Sequence, residues 1–113
     1  NETILKLLIN KMYEAIAEKE LDTIMEKVRL TLKFAPEDYE IARIDKILGK
    51  CYNDKIIINP DIVMYKKETI EYIIFHEFCH LKFKRHSKKF YDMIKSYFPN
   101  YEDCAYEVAG MQY

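Results

Sequence analysis

The chain has 113 residues, with 18 Lys and Arg set against 19 Asp and Glu for a formal net charge of −1, and half of its residues are hydrophobic. That balance gives no drive toward nucleic acid or an anionic membrane surface, and the length suits one hydrophobic core but not two ordinary domains, so residues 1–113 are expected to form a single domain. Two Gly and three Pro argue against long linkers, and three scattered cysteines, Cys51, Cys79 and Cys104, make no disulfide framework, which favours a reducing cytoplasm.

In chain order, Leu5, Leu8, Ile9, Met12 and Ile16, then Leu21, Ile24, Met25, Val28 and Leu32, recur at helical spacing and predict two amphipathic helices. The apolar run Ile4–Ile9 is interrupted by Lys6 and is far shorter than the roughly 18–20 residues of a membrane span, so neither a span nor a secretory signal is expected. Pro36 should stop the second helix, and the alternation over Tyr39–Leu48 suggests a strand. Asn53-Asp54 supplies turn chemistry, Ile56-Ile57-Ile58 completes a hairpin, and Asn59-Pro60 ends it. A helix is predicted over Thr69 to Lys84, and Ser87 is a good N-cap for another through Ile94. The expected fold class is α+β: N-terminal helices, a small twisted β-sheet of two or three strands, a long helix beside it, and a C-terminal helix.

All three histidines fall in the run His76-Glu77-Phe78-Cys79-His80-Leu81-Lys82-Phe83-Lys84-Arg85-His86. On a helix, residues four apart share a face, so His76 and His80 can both reach one zinc ion, while Glu77 on the adjoining flank can miss the metal and act on a water as general base. Catalytic zinc usually takes three protein ligands, and His86 is the only nearby side chain of suitable chemistry, because the neighbours Lys82, Lys84, Arg85, Lys88 and Lys89 are cationic. The pattern therefore assigns metal ligands His76, His80 and His86, a catalytic Glu77, and Zn2+ as cofactor, with no other cofactor-binding residues.

Several alternatives remain open at this level. The first two histidines could be half-buried core residues. His86 could be a solvated residue before a helix, with Glu102, Asp103 or Glu107 taking its place. Cys51 or Cys104 could close a four-ligand structural zinc site without catalysis. The basic cluster from Lys82 to Lys95 admits a metal-dependent nucleotide or phosphoester hydrolase, although such enzymes favour carboxylate-rich or two-metal sites and a solvated helix face explains the cluster more simply.

Gly49-Lys50-Cys51 before a hairpin, the strand Ile56–Asn59, the run His76–Lys82, then His86-Ser87-Lys88-Lys89-Phe90 and Pro99-Asn100-Tyr101, together resemble the YgjP-like zincin metallopeptidases, related to the WLM group and to minimal single-domain zincins such as selecase. The resemblance covers roughly the C-terminal 60% of the chain. It implies that the three histidines bind zinc, that Glu77 is the base, and that an extended substrate pairs with the strand near Leu48–Cys51. The expected activity is endopeptidase cleavage of a peptide or unfolded protein by attack of zinc-activated water. Tyr72, Tyr97, Tyr101 and Tyr106 are candidate oxyanion partners. No nucleic-acid or membrane partner is expected, while homo-oligomerisation and self-inhibition, the latter through Glu102, Asp103 or Cys104 reaching the zinc, stay open.

Overall fold

The computed structural model describes all residues, 1–113. Helix α1 runs unbroken over Glu2–Leu32 where two helices are expected from the periodicity. The segment between the two stripes, Ala17-Glu18-Lys19-Glu20, consists of strong helix formers with no Gly or Pro, so nothing interrupts propagation. The helix begins on Asn1, whose side chain accepts from the Ile4 amide. It ends four residues before Pro36, where the cap residue Lys33 turns left-handed (φ 64°) and its amide donates to the Arg29 carbonyl.

Strands β1 (Asp38–Ile41), β2 (Gly49–Tyr52) and β3 (Lys55–Ile58) form a sheet in the order β1-β3-β2. β1 runs parallel to β3 with Asp38 opposite Lys55, and β2 runs antiparallel to it with Gly49 opposite Ile58. Asn53 and Asp54, both at positive φ (47° and 61°), make the two-residue turn whose twist suits a hairpin. The predicted strand over Tyr39–Leu48 is cut short at Ile41. The buried Asn59 side chain donates to the carbonyls of Ile44 (2.9 Å) and Ile47 (3.0 Å) and accepts from the Asp61 amide, which folds residues 44–47 into a turn instead of an extended strand.

A short 3-10 turn, Pro60–Met64, packs on α1. Arg43 fastens it there, bonding Asp61 (2.9 Å) and Glu14 (2.5 Å). Helix α2 (Lys67–Lys82) is the spine of the core, with Thr69, Ile70 and every residue from Tyr72 to Cys79 buried. It lies two residues N-terminal to the predicted bounds. Its N-cap, Lys66, has no side-chain cap, and Glu107 supplies one from a distance, accepting from the Lys66 amide (3.1 Å) and the Thr69 hydroxyl (2.5 Å).

Where one C-terminal helix is expected there are two, α3 (Lys88–Tyr97) and α4 (Tyr101–Glu107), because Pro99 cannot continue the first. The chain then returns to the sheet: the Leu48 amide donates to the Gln112 carbonyl and the Gln112 amide to the Lys46 carbonyl, each at 2.8 Å.

Candidate metal centre and active site

The three histidines converge from two adjoining segments. His76 and His80 project from one face of α2, a turn apart. At Phe83 the helix stops, and residues 83–86 turn back before Ser87 caps α3 by accepting from the Phe90 amide (3.3 Å). The turn carries His86 to the other two without the glycine that such a bend often uses. One nitrogen from each ring lies within 4.8 Å of the others, and no Cys, Asp or Glu joins the group. Phe90, fully buried at the start of α3, lies under all three imidazoles with ring centroids 4.7–5.0 Å away.

The donor set fits zinc. His80 Nδ1 sits 3.1 Å from the Phe83 carbonyl and can only donate there, which leaves its Nε2 with a free lone pair. That Nε2 faces His86 Nε2 at 3.1 Å, close to the roughly 3.3 Å between two ligands that each lie about 2.0–2.1 Å from a tetrahedral zinc. Burial, reinforced by the neighbouring His76, lowers the proton affinity of both His80 and His86, so the rings stay neutral and available as ligands at neutral pH.

Glu77 is almost wholly buried, yet it lines a cleft of about 640 Å³ between α2 and the outer edge of β2. Its Oε2 lies 3.3 Å from His76 Nδ1. A Cβ on Gly49 would stand 3.1 Å from Glu77 Cγ and 3.2 Å from Oε2, so the absence of a side chain there makes room for the carboxylate. Cys51 and Cys79 flank it, and burial together with the Glu77 charge pushes their thiols up to about 11 and about 12. Neutral thiols are poor metal ligands and poor nucleophiles. Cys104 is buried in the core on α4, and Glu107 is occupied capping α2.

A model of the YgjP-like metallopeptidase domain matches residues 1–109. The chain belongs to this family. Two solved structures share the fold. The zymogen of Methanocaldococcus jannaschii jannalysin superposes with a TM-score of 0.70 at 21% identity, covering 79% of this chain and 93% of that one. The zymogen of Pyrococcus abyssi abylysin gives 0.64 at 22%, covering 77% and 86%. No curated protein matches the chain. A YgjP-like metallopeptidase domain implies a catalytic metal, and the histidine cluster is the group of residues in this structure suited to hold one.

The basic cluster does not converge on the cleft as a phosphate site would. Lys82 lies over the Phe34 ring, Lys88 pairs with Asp92, and of the six cations from Lys82 to Lys95 Lys84 alone lines the cleft. Among the tyrosines singled out, Tyr72 meets another residue at the site: its hydroxyl bonds that of Tyr113 at 2.9 Å, and burial raises its pKa far above the usual phenol range. Tyr97 packs on Phe75, Tyr101 on Tyr72 and Tyr91, and Tyr106 faces solvent. Tyr113, whose ring lies 4.7 Å from His76, and Gln112 both line the cleft, and sequence reading missed them because they belong to no motif and arrive only through tertiary pairing. Gly49 is visible in the sequence as part of the resemblance, but its steric role beside Glu77 is not.

Proposed function

We propose that this chain is a zinc-dependent endopeptidase in which His76, His80 and His86 hold the metal and Glu77 is the general base. The observation that most supports this is the position of Glu77, a buried carboxylate opening into the cleft between the histidine cluster and an open strand edge. When bound, zinc supplies Lewis acidity to a substrate carbonyl and makes water more acidic. Glu77 removes a proton from the attacking water and delivers it to the departing amine, so a peptide bond is hydrolysed with no covalent enzyme intermediate. Three neutral imidazoles add no negative charge to the metal and suit zinc, as they also suit cobalt and nickel, which are discriminated largely by availability.

β2 pairs with β3 along one side, and on its other side the cleft runs along Gly49–Tyr52. An extended peptide lying there gains main-chain hydrogen bonds while its scissile bond passes over Glu77. The two solved relatives are described as zymogens. A latent form of this chain would draw on Gln112–Tyr113, which already enters the cleft, rather than on Glu102, Asp103 or Cys104, which are part of helix α4.

The test is cleavage of a labelled unfolded protein before and after chelation. Chelation should abolish cleavage and one equivalent of zinc should restore it. His86→Ala should lower zinc affinity by more than the ~100-fold typical of losing an outer-shell partner. Cleavage indifferent to chelation, or zinc affinity indifferent to His86→Ala, would overturn the assignment.

A further inference from the structure

Helix α1 carries two apolar faces. Successive residues advance by about 100° around the axis, and on that wheel the buried residues Ala17, Leu21, Ile24, Met25 and Val28 occupy one side. Ile4, Leu5, Leu8, Ile9, Met12 and Ile16 form a stripe about 140° wide on the opposite side, half a turn away. The core uses only the C-terminal half of the helix, and on the stripe Ile4, Leu5, Leu8 and Met12 are 52–60% exposed and Ile9 is 37% exposed. The stripe stops where Lys19, Asp22 and Glu26 take over its side of the helix. Beyond it Leu30, 60% exposed, is a lone apolar residue on that side, and Leu7, 55% exposed, lies on the opposite face.

We infer that this stripe is the contact through which a second copy of the chain binds, forming a two-fold helix pair. Three observations select that occupant. Leu5, Leu8, Met12 and Ala15 follow the 3-4-3 spacing of a helix-pair seam, and a two-fold axis makes such a seam complementary to itself. The five exposed side chains present on the order of 500 Å² per copy, so pairing buries about 1,000 Å², the size of a weak, reversible contact rather than of a permanent one. The charges around the stripe, Glu2, Lys6, Lys11, Glu14 and Glu18, balance to −1, which gives an anionic bilayer no attraction and costs two apposed copies little repulsion. The proposal is independent of the peptidase assignment.

Sedimentation of the whole chain from about 1 to 200 μM tests it. The expected result is a reversible shift from 13.7 kDa to twice that mass. Leu8→Glu and Met12→Lys should each remain at the monomer mass throughout, with an unchanged circular dichroism spectrum because both positions are solvent-exposed. Three results would overturn the inference: wild type at 13.7 kDa at every concentration, a dimer that survives both substitutions, or a monomer that instead co-sediments with phosphatidylserine-containing vesicles through the same residues.

Discussion

Helix α2 and the first half of α1 are both rich in Ile, Leu, Phe and Met, yet one is buried on nearly every side and the other is exposed on nearly every side. α2 passes between α1, the sheet and the two C-terminal helices, so each of its faces meets a neighbour. The Pro60–Met64 turn and Arg43 reach α1 from Asn10 onward, and Glu2–Ile9 stand exposed beyond them. Apolar periodicity therefore marks a face that meets something, without saying whether that something is the chain's own core. Two of the three proposed metal ligands, His76 and His80, lie on the helix held from all sides, which fixes their geometry before any ligand arrives.

This contrast is open to direct attack. Phe78→Ala removes a large, fully buried side chain from α2 and should cost about 3–5 kcal/mol, a large share of the roughly 5–15 kcal/mol that holds a typical domain together. Leu8→Ala on the exposed stripe should change monomer stability by less than about 0.5 kcal/mol. Denaturant unfolding of the two variants at low protein concentration compares them, and equal losses would erase the distinction.

Gly49→Ala sharpens the comparison at the site itself. The added methyl would press on the Glu77 carboxylate, and a displacement of up to about 1 Å is expected to lower kcat by about 10–100-fold while zinc binding stays intact. Unaltered kcat would mean that the carboxylate position is not critical. Glu107→Ala removes the distant cap of α2 and should cost about 1 kcal/mol, lowering Tm by roughly 4 °C, with metal affinity little affected. The smallest effect concerns pH. In the metal-free protein His80 and His86 have lower proton affinity folded than unfolded, so the unfolded chain binds more protons below about pH 6.5. Stability should therefore fall as pH drops from about 6.5 until both rings are protonated in the folded state, and His80→Gln/His86→Gln should flatten that part of the profile.

What could be read in advance was local. The relation of His76, Glu77 and His80 follows from helix geometry, and Ser87 announces the cap that turns His86 toward them. The α+β class, the hairpin at Asn53-Asp54 and the strand Ile56–Ile58 were legible for the same reason. What escaped was set by contacts between distant residues. The Asn59 amide ends β1 early by bonding two carbonyls twelve and fifteen residues away, and Glu107 caps a helix that starts forty residues before it. Phe90 and Tyr113 reach the histidines only once α3 and the final turn have packed. The fusion of two predicted helices into α1 reflects a change of apolar face around residue 17, where a switch of stripe resembles a break between helices.

Glu77 is the residue on which the proposed hydrolysis depends. Cleavage of an unfolded protein by zinc-loaded wild type and Glu77→Gln, each first shown to hold one zinc per chain, tests it most directly. The expected outcome is cleavage by wild type and a loss of at least about 100-fold in the variant at equal metal content. Equal cleavage by both would contradict the assignment of Glu77 as the base, and no cleavage by either at full zinc occupancy would contradict the peptidase itself.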